Sequence, residues 1–406
     1  MKKWIAAVLI FALLLVWTAC AGQEPAVAKP GEEFLRGVDV SSLRSLEESG
    51  VVYYDFDGEE KDLLEILHEN GVNYIRLRVW NDPYDSQGNG YGGGNCDLEN
   101  AIAMGKRAAG YQMGVLLDLH YSDFWADPGK QQAPKAWQNM TLAEKEQAVS
   151  DYTAESLQRL LDEGVLVGMV QVGNETNNGF CGETTVEGQY PLMAAAARAV
   201  RQVDPEIQIV VHYTNPEMRG YGYFAEMLKN YGVDYDIFAT SYYPCWHGTL
   251  DNLKEQLQTV VEKSGKKVMI AETSWAYTAQ DTDGHGNSVG TQQAAGQPWP
   301  FTEQGQAQAL SDVMEAMRSF GEDGVGVFYW EPAWIAVPGN SREERSALWE
   351  RYGSGWASSF SADYDPDDAG KYYGGSACDN QALFDAHGHP LEALKVFGAM
   401  AENHDQ

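Results

Sequence analysis

The residue pattern predicts a single α/β domain, a closed (β/α)8 TIM barrel. Three observations carry that prediction. Eight short apolar runs of strand length alternate with segments of helical periodicity. Strand–helix alternation implies a parallel sheet, and eight such units imply closure into a barrel. No Gly-x-Gly-x-x-Gly turn follows the first run, which counts against a dinucleotide-binding fold. The chain shows no repeat beyond this alternation and no interdomain linker.

The N-terminus stands apart from the fold. Lys2 and Lys3 give a positive start, and Ile5 to Val16 is an apolar stretch too short for a permanent span. Thr18-Ala19-Cys20 resembles a bacterial lipoprotein signal, with Trp17 in place of the usual Leu. Residues 1–19 are therefore expected to be a signal peptide, with Cys20 lipidated as the mature N-terminus or, alternatively, plain secretion. Residues 20–33, with Pro25 and Pro30, read as a tether to a barrel over 34–400. No other run of eighteen apolar residues exists.

The expected strands run from Phe34 to Val40, Tyr74 to Arg78, Gly114 to Leu119 and Met169 to Gly173. They continue from Ile207 to Val211, Ile237 to Ser241, Lys267 to Ala271 and Val325 to Tyr329. Helices are expected from Leu63 to Asn70, Leu98 to Gly110, Leu142 to Glu163 and Leu192 to Val203. Three more fall from Tyr223 to Tyr231, Leu250 to Ser264 and Glu303 to Phe320. The Gly-containing insert Ser86 to Gly94 reads as a mobile flap or a solvated loop.

Barrel chemistry sits at the C-terminal strand ends. There the sequence places Asp39, Arg76, Arg78, Asp118, His120, Asn174, Glu175, His212, Tyr242, Tyr243, Glu272, Trp330 and Glu331. Two of these stand out. Met169-Val-Gln-Val-Gly-Asn-Glu175 ends the fourth strand on a carboxylate, and Lys267-Val-Met-Ile-Ala-Glu272 does so on the seventh. Glu at a strand end can cap a loop or form an ion pair. A pair delivered to one rim is what glycoside hydrolysis needs, one as acid/base and one as nucleophile or base.

A net charge of −31 becomes more negative once Lys2 and Lys3 leave, and it argues against nucleic acid as a partner. It does not identify a substrate, since an acidic shell mainly keeps an exported protein soluble. Twelve Trp and twenty-two Tyr suit stacking on sugar rings, although most aromatics in any protein are core. Cys96, Cys181, Cys245 and Cys378 do not follow zinc spacing. An exported context permits disulfides, and three pairings are open.

Several motifs are similar to those of endo-β-1,4-galactanases of glycoside hydrolase family 53. They are Gly37-Val-Asp-Val-Ser-Ser, Tyr74-Ile-Arg-Leu-Arg-Val-Trp-Asn-Asp-Pro and Asp118-Leu-His-Tyr-Ser-Asp-Phe-Trp-Ala-Asp-Pro. Val172-Gly-Asn-Glu-Thr-Asn, Ser241-Tyr-Tyr-Pro, Ala271-Glu-Thr-Ser-Trp and Tyr329-Trp-Glu-Pro-Ala-Trp complete the set. The resemblance runs from about residue 34 to 397 and implies a retaining endo-hydrolase of β-1,4-galactan in pectin side chains. It implies Glu175 as acid/base and Glu272 as nucleophile. Asn174 would bond the sugar 2-hydroxyl, Arg76 would hold the nucleophile ionised, and Tyr242 would orient it. Asp39, His120, Asp123, Trp125, His212 and Trp330 would line sugar subsites. For Arg76 with Asp39 the alternative is a structural ion pair, and for Trp125 and Trp330 it is rim packing.

Asp281-Thr-Asp283-Gly-His285-Gly-Asn287 places ligand-type side chains at alternate positions of a Gly-rich loop, although such a loop is often just a turn. The resemblance implies a structural Ca²⁺ site there, completed by Ser376 and Asp379. Cys181, Cys245 and Cys378 depart from the family pattern on loops facing substrate. The chain is expected to act as a monomer on polysaccharide, touching membrane only through a lipid at Cys20. Two rival readings stay open on the residues alone. One is a related endo-glycanase acting on mannan, glucan or xylan; the other is a surface lipoprotein that grips glycan without cutting it.

Overall fold

A computed structural model describes residues 27–30, 32–367, 369 and 374–402. The expected signal peptide, Cys20 and the first part of the tether lie outside the described residues.

Eight parallel strands close into a barrel. They are β1 (Leu35–Asp39), β2 (Tyr74–Val79), β3 (Gly114–Leu119), β4 (Val167–Val172), β5 (Gln208–Tyr213), β6 (Ile237–Ser241), β7 (Lys267–Thr273) and β8 (Gly324–Trp330). Each pairs with its sequence neighbours, and β1 closes on β8 in the register Leu35 to Gly326 and Asp39 to Trp330. The strands are almost wholly buried because both faces are covered. Alternate residues point inward, so Leu35, Tyr74, Leu116, Met169, Val210, Ile237, Met269 and Phe328 fill the barrel's interior. Gly37 is needed there, since a Cβ would sit 2.2 Å from the Phe328 ring. The other faces pack outward on the helices in a second, larger core.

The helices are α1 (Leu43–Glu48), α2 (Leu63–Glu69), α3 (Leu98–Gly110), α4 (Leu142–Asp162), α5 (Val186–Val203), α6 (Tyr221–Asn230), α7 (Leu250–Ser264), α8 (Glu303–Arg318), α9 (Arg342–Tyr352) and α10 (Lys395–Glu402). Local caps set several starts. Thr141 and Glu144 form a reciprocal capping box at α4, while Asp97, Thr249 and Thr302 cap α3, α7 and α8. Helix α5 begins six residues before the expected Leu192. Thr185 accepts from the Gly188 amide and starts it, and Pro191 is carried inside the helix. Sequence periodicity did not disclose α1, α9 or α10, which are short or weakly patterned.

Two loop expectations need correction. In the insert, Ser86 to Gly88 are exposed as a solvated loop, but residues 91–94 are docked: the carbonyl of Gly93 accepts from Arg78, the Gly93 and Gly94 amides donate to Gly355 and Gly353, and Tyr91 is buried. The four described cysteines are free thiols, so no pairing exists among them. Cys96 sits against the carbonyls of Ser41 and Gly93, and Cys378 against the Ser376 hydroxyl. Each is settled in a separate buried niche.

Candidate active site

The C-terminal strand ends open into a cleft of about 290 Å³. Arg76, His120, Trp125, Asn174, Glu175, Glu272 and Trp330 line it, as do Tyr243, Trp246 and Trp356. Its floor is an ionic lattice. The Arg76 guanidinium reaches Glu272 at 2.8 Å, Asp39 at 2.9 Å and Asp118 at 2.9 Å, and it donates to Asn174 Oδ1 at 2.8 Å. Removing one cation would leave three buried carboxylates facing each other, a costly arrangement. Burial raises Asp118, yet Arg76 and His120 outweigh it and hold the carboxyl below its ordinary range. His120 donates from Nε2 to Asp118 and accepts at Nδ1 from the Trp80 indole, which fixes its tautomer.

Glu175 and Glu272 face each other across this floor. Glu175 follows Gly173 (φ 92) and itself has φ 46, so the chain turns sharply at the end of β4 and presents the carboxyl to the cleft. A side chain at Gly173 would meet Phe180 and Thr176 at 2.7 Å. The Ser241 hydroxyl lies 2.5 Å from Glu175 Oε1 and 3.4 Å from Glu272 Oε2, which caps the separation of those oxygens at roughly 6 Å. Burial first, and Glu272 second, push the Glu175 carboxyl up to about 8. Burial raises Glu272 as well, and its carboxyl stays above its ordinary range although Arg76 and a 2.8 Å bond from the Tyr243 hydroxyl oppose the shift. Of the two carboxyls, Glu175 lacks the cation and the tyrosine hydroxyl that favour ionisation of Glu272, so it is the one that favours holding a proton.

Several sequence expectations shift. Tyr242 does not orient Glu272; its hydroxyl donates to the carbonyl of Gly248 at 3.0 Å, and the adjacent Tyr243 contacts the carboxylate instead. Asp39 and His212 lie beneath the cleft surface rather than lining it. Asp39 pairs with Arg76, and His212 contacts Ser241 and Asn174. Asp123 braces loops, accepting from the Asp82 and Lys135 amides and pairing with the Lys135 ammonium at 3.1 Å. Asn174 lines the cleft with its amide already held between Arg76 and the carbonyl of Ala126.

One end of the cleft is aromatic. Trp125 stacks on Trp356 with centroids 4.4 Å apart and planes 14° off parallel, and Trp334 and Trp330 flank them. The Arg78 guanidinium sits 4.5 Å from the Trp125 ring centroid and is held by Glu331, which burial pushes up to about 7. Trp246, 46% exposed, also lines the cleft and stands beside Tyr243. Trp356 and Trp246 lie beyond strand ends, where no pattern along the chain marks them apart from their residue type.

The loops after β7 and β8 meet beside the cleft. Carboxylate oxygens of Asp281, Asp283 and Asp379 lie within 4.8 Å of one another. Asp379 Oδ1 and Asn287 Oδ1 are buried with no hydrogen-bond donor. Burial, then Asp379, pushes the Asp283 carboxyl up to about 7. His285 does not join the carboxylate triad, and the Ser376 hydroxyl faces Cys378. The same loops are already tied by the Ser376 amide to Asp283 at 2.6 Å and by the Thr282 amide to Asp379 at 2.9 Å.

The model of glycosyl hydrolase family 53 matches residues 35–397. An endo-β-1,4-galactanase of Bacillus subtilis is 51% identical, with 98% of this chain and 97% of that protein covered. An arabinogalactan endo-β-1,4-galactanase of Cellvibrio japonicus is 32% identical over 86% of this chain and 91% of its own. Among solved structures, a GH53 catalytic domain from Ignisphaera aggregans superposes with TM-score 0.80 at 41% identity, covering 92% of this chain and 99% of that one. Xylanases at 12–16% identity share the fold alone.

Proposed function

The chain belongs to glycosyl hydrolase family 53, and from that premise we propose that it cuts β-1,4-galactosidic bonds within galactan by a retaining mechanism. The observation that carries the mechanism is the Ser241 hydroxyl in reach of both carboxylates, at 2.5 and 3.4 Å. That spacing suits the roughly 5–5.5 Å of retaining enzymes, and not the roughly 6.5–9.5 Å that leaves room for an attacking water.

Glu272, kept ionised by Arg76 and Tyr243, attacks the anomeric carbon. Glu175, kept protonated by burial and by its neighbour's charge, protonates the departing glycosidic oxygen. The resulting galactosyl ester on Glu272 is then hydrolysed by a water that the Glu175 carboxylate deprotonates, which returns both groups to their starting states. The half-buried Trp330 and Trp356 offer surface for sugar rings, with Trp125 packed behind Trp356. Both carboxylates are present, which weighs against a binding-only protein.

Asp281, Asp283 and Asp379 fit a hard cation such as Ca²⁺, because mutually repelling carboxylates and donor-less oxygens from Asp379 and Asn287 are what such an ion satisfies. His285 and Ser376 are candidate outer members of that set. Bound there, Ca²⁺ supplies charge neutralisation that ties the β7 and β8 loops, and it takes no part in bond cleavage. Export with lipidation at Cys20 and a monomeric state complete the reading; metabolic labelling with palmitate and light scattering test them.

The function is tested by the product profile from β-1,4-galactan, wild type beside Glu272→Gln. Short galacto-oligosaccharides from the wild type alone are expected. Products from neither protein would move the substrate to another β-glycan or the function to binding.

A further inference from the structure

Ser241 ends β6 between the two carboxylates, buried, with a hydroxyl that owns one proton and has two candidate acceptors. Its third neighbour is His212 Nε2 at 3.0 Å. Burial holds His212 far below its ordinary range, so the ring is neutral and one nitrogen carries a hydrogen. Two donors face Nδ1, the Gln171 amide at 3.0 Å and the Glu175 backbone N–H at 3.4 Å. One acceptor does, Asn174 Oδ1 at 2.9 Å, and that oxygen already accepts from Arg76 at 2.8 Å. The hydrogen therefore belongs on Nε2, where it points at Ser241 Oγ. With that lone pair filled, the Ser241 proton is free to turn toward either carboxylate.

We propose that Ser241 is a positioning residue whose hydroxyl proton follows the negative charge between Glu272 and Glu175 as the reaction proceeds. In the resting enzyme Glu175 is the acid and donates to Ser241 Oγ, while the Ser241 hydroxyl turns to the Glu272 carboxylate. Once Glu272 has become a neutral galactosyl ester and Glu175 has given up its proton, the hydroxyl turns about Cβ–Oγ and donates to Glu175. No proton changes owner in this movement. Only a rotor turns, so it adds a charge-assisted hydrogen bond to whichever carboxylate is ionised. The inference rests on the acid/base and nucleophile assignment given above.

Other groups face the pair from every side. Around Glu272 stand Arg76 from β2, Asp39 from β1, Asp118 from β3 and Tyr243 after β6. Around Glu175 stand Asp127 from the loop after β3 and Thr214 after β5, with His247 behind Thr214.

The experiment is the pH dependence of kcat/KM on β-1,4-galactan for wild type, Ser241→Cys and Ser241→Ala. In the singly protonated pair Ser241 donates to charged Glu272 and accepts from neutral Glu175, so its loss raises the pKa of Glu272 and lowers that of Glu175. In the alanine variant the acid limb is expected to move up and the alkaline limb down, each by up to about one pH unit, so that the profile narrows. The cysteine variant, a weaker donor, should fall between. Limb positions are read from the active fraction, so a poorly recovered alanine variant leaves the cysteine comparison decisive. Limbs that coincide with wild type, however large the uniform loss of rate, would overturn the proposal. They would leave the hydrolase assignment standing, because that is judged by the wild type and Glu272→Gln.

Discussion

Two adjacent tyrosines make a sharp test of how the nucleophile is held. The Tyr243 hydroxyl donates to buried Glu272 Oε2 at 2.8 Å, whereas the Tyr242 hydroxyl donates to the carbonyl of Gly248 at 3.0 Å. Tyr243→Phe removes a hydrogen bond to a charged acceptor, about 1.5–3 kcal/mol. Expressed in the transition state, that is a fall in kcat/KM of roughly 10- to 150-fold. The bond also lowers the Glu272 pKa, so the variant's nucleophile binds its proton more tightly. Attack needs the carboxylate, and activity is lost as pH falls through its pKa, so the acid limb should move up by about one unit. Tyr242→Phe removes a neutral bond in a loop, about 1 kcal/mol of stability, and leaves both limbs in place. The assay is reducing-end release from β-1,4-galactan across pH, with melting temperature as the control for folding. Equal kinetic losses in the two variants, or a larger loss in Tyr242→Phe, would refute the reasoning.

Two further outcomes follow from the buried carboxylates. Glu175 titrates at about 8 in the folded state and near its ordinary value when unfolded, so neutral Glu175 favours folding and that advantage is full below the unfolded pKa. It is lost as pH rises toward about 8; the wild-type melting temperature should therefore fall relative to Glu175→Gln between pH 5 and 8, and parallel curves would contradict the shift. Chelation should lower the wild-type melting temperature and added Ca²⁺ should restore it, because an ion bound only by the folded state stabilises it. Asp283→Asn should blunt that response, whereas an unchanged wild-type curve would sink the calcium reading.

Much of the site was legible because barrel strands share one direction. Any polar residue at a strand's C-terminal end lands on the same rim, so Glu175, Glu272, Arg76, Asn174 and His120 could be grouped without coordinates. The method failed where the chain leaves the strand. The strand-end reading named Tyr242 and Tyr243 together, and the resemblance implied Tyr242 as the partner of Glu272; the pairing of β6 with β7 slips between Thr240 and Ser241, just before both. The direction of a side chain there is set by the loop and not by the period of two. The resemblance alone implied a subsite role for Asp123; it lies four residues past β3, where the chain has turned and Lys135 captures it. The C-terminal part of the insert at residues 86–94 looked as solvated as its exposed start because glycines carry no packing signal, yet the backbone of Gly93 and Gly94 docks on Gly355 and Gly353.

The sequence by itself determined the alternation of elements, the closure it implies and the two carboxylates at the barrel mouth, since these depend on local pattern and on a direction common to all strands. Tertiary structure alone decided what surrounds those carboxylates. The Trp125–Trp334–Trp356 stack, the Arg76 lattice linking β1, β2, β3 and β7, and the single Ser241 hydroxyl between Glu175 and Glu272 join residues far apart in the chain. Their energies depend on distances of a few ångströms in a buried environment, and no spacing along the chain encodes those distances.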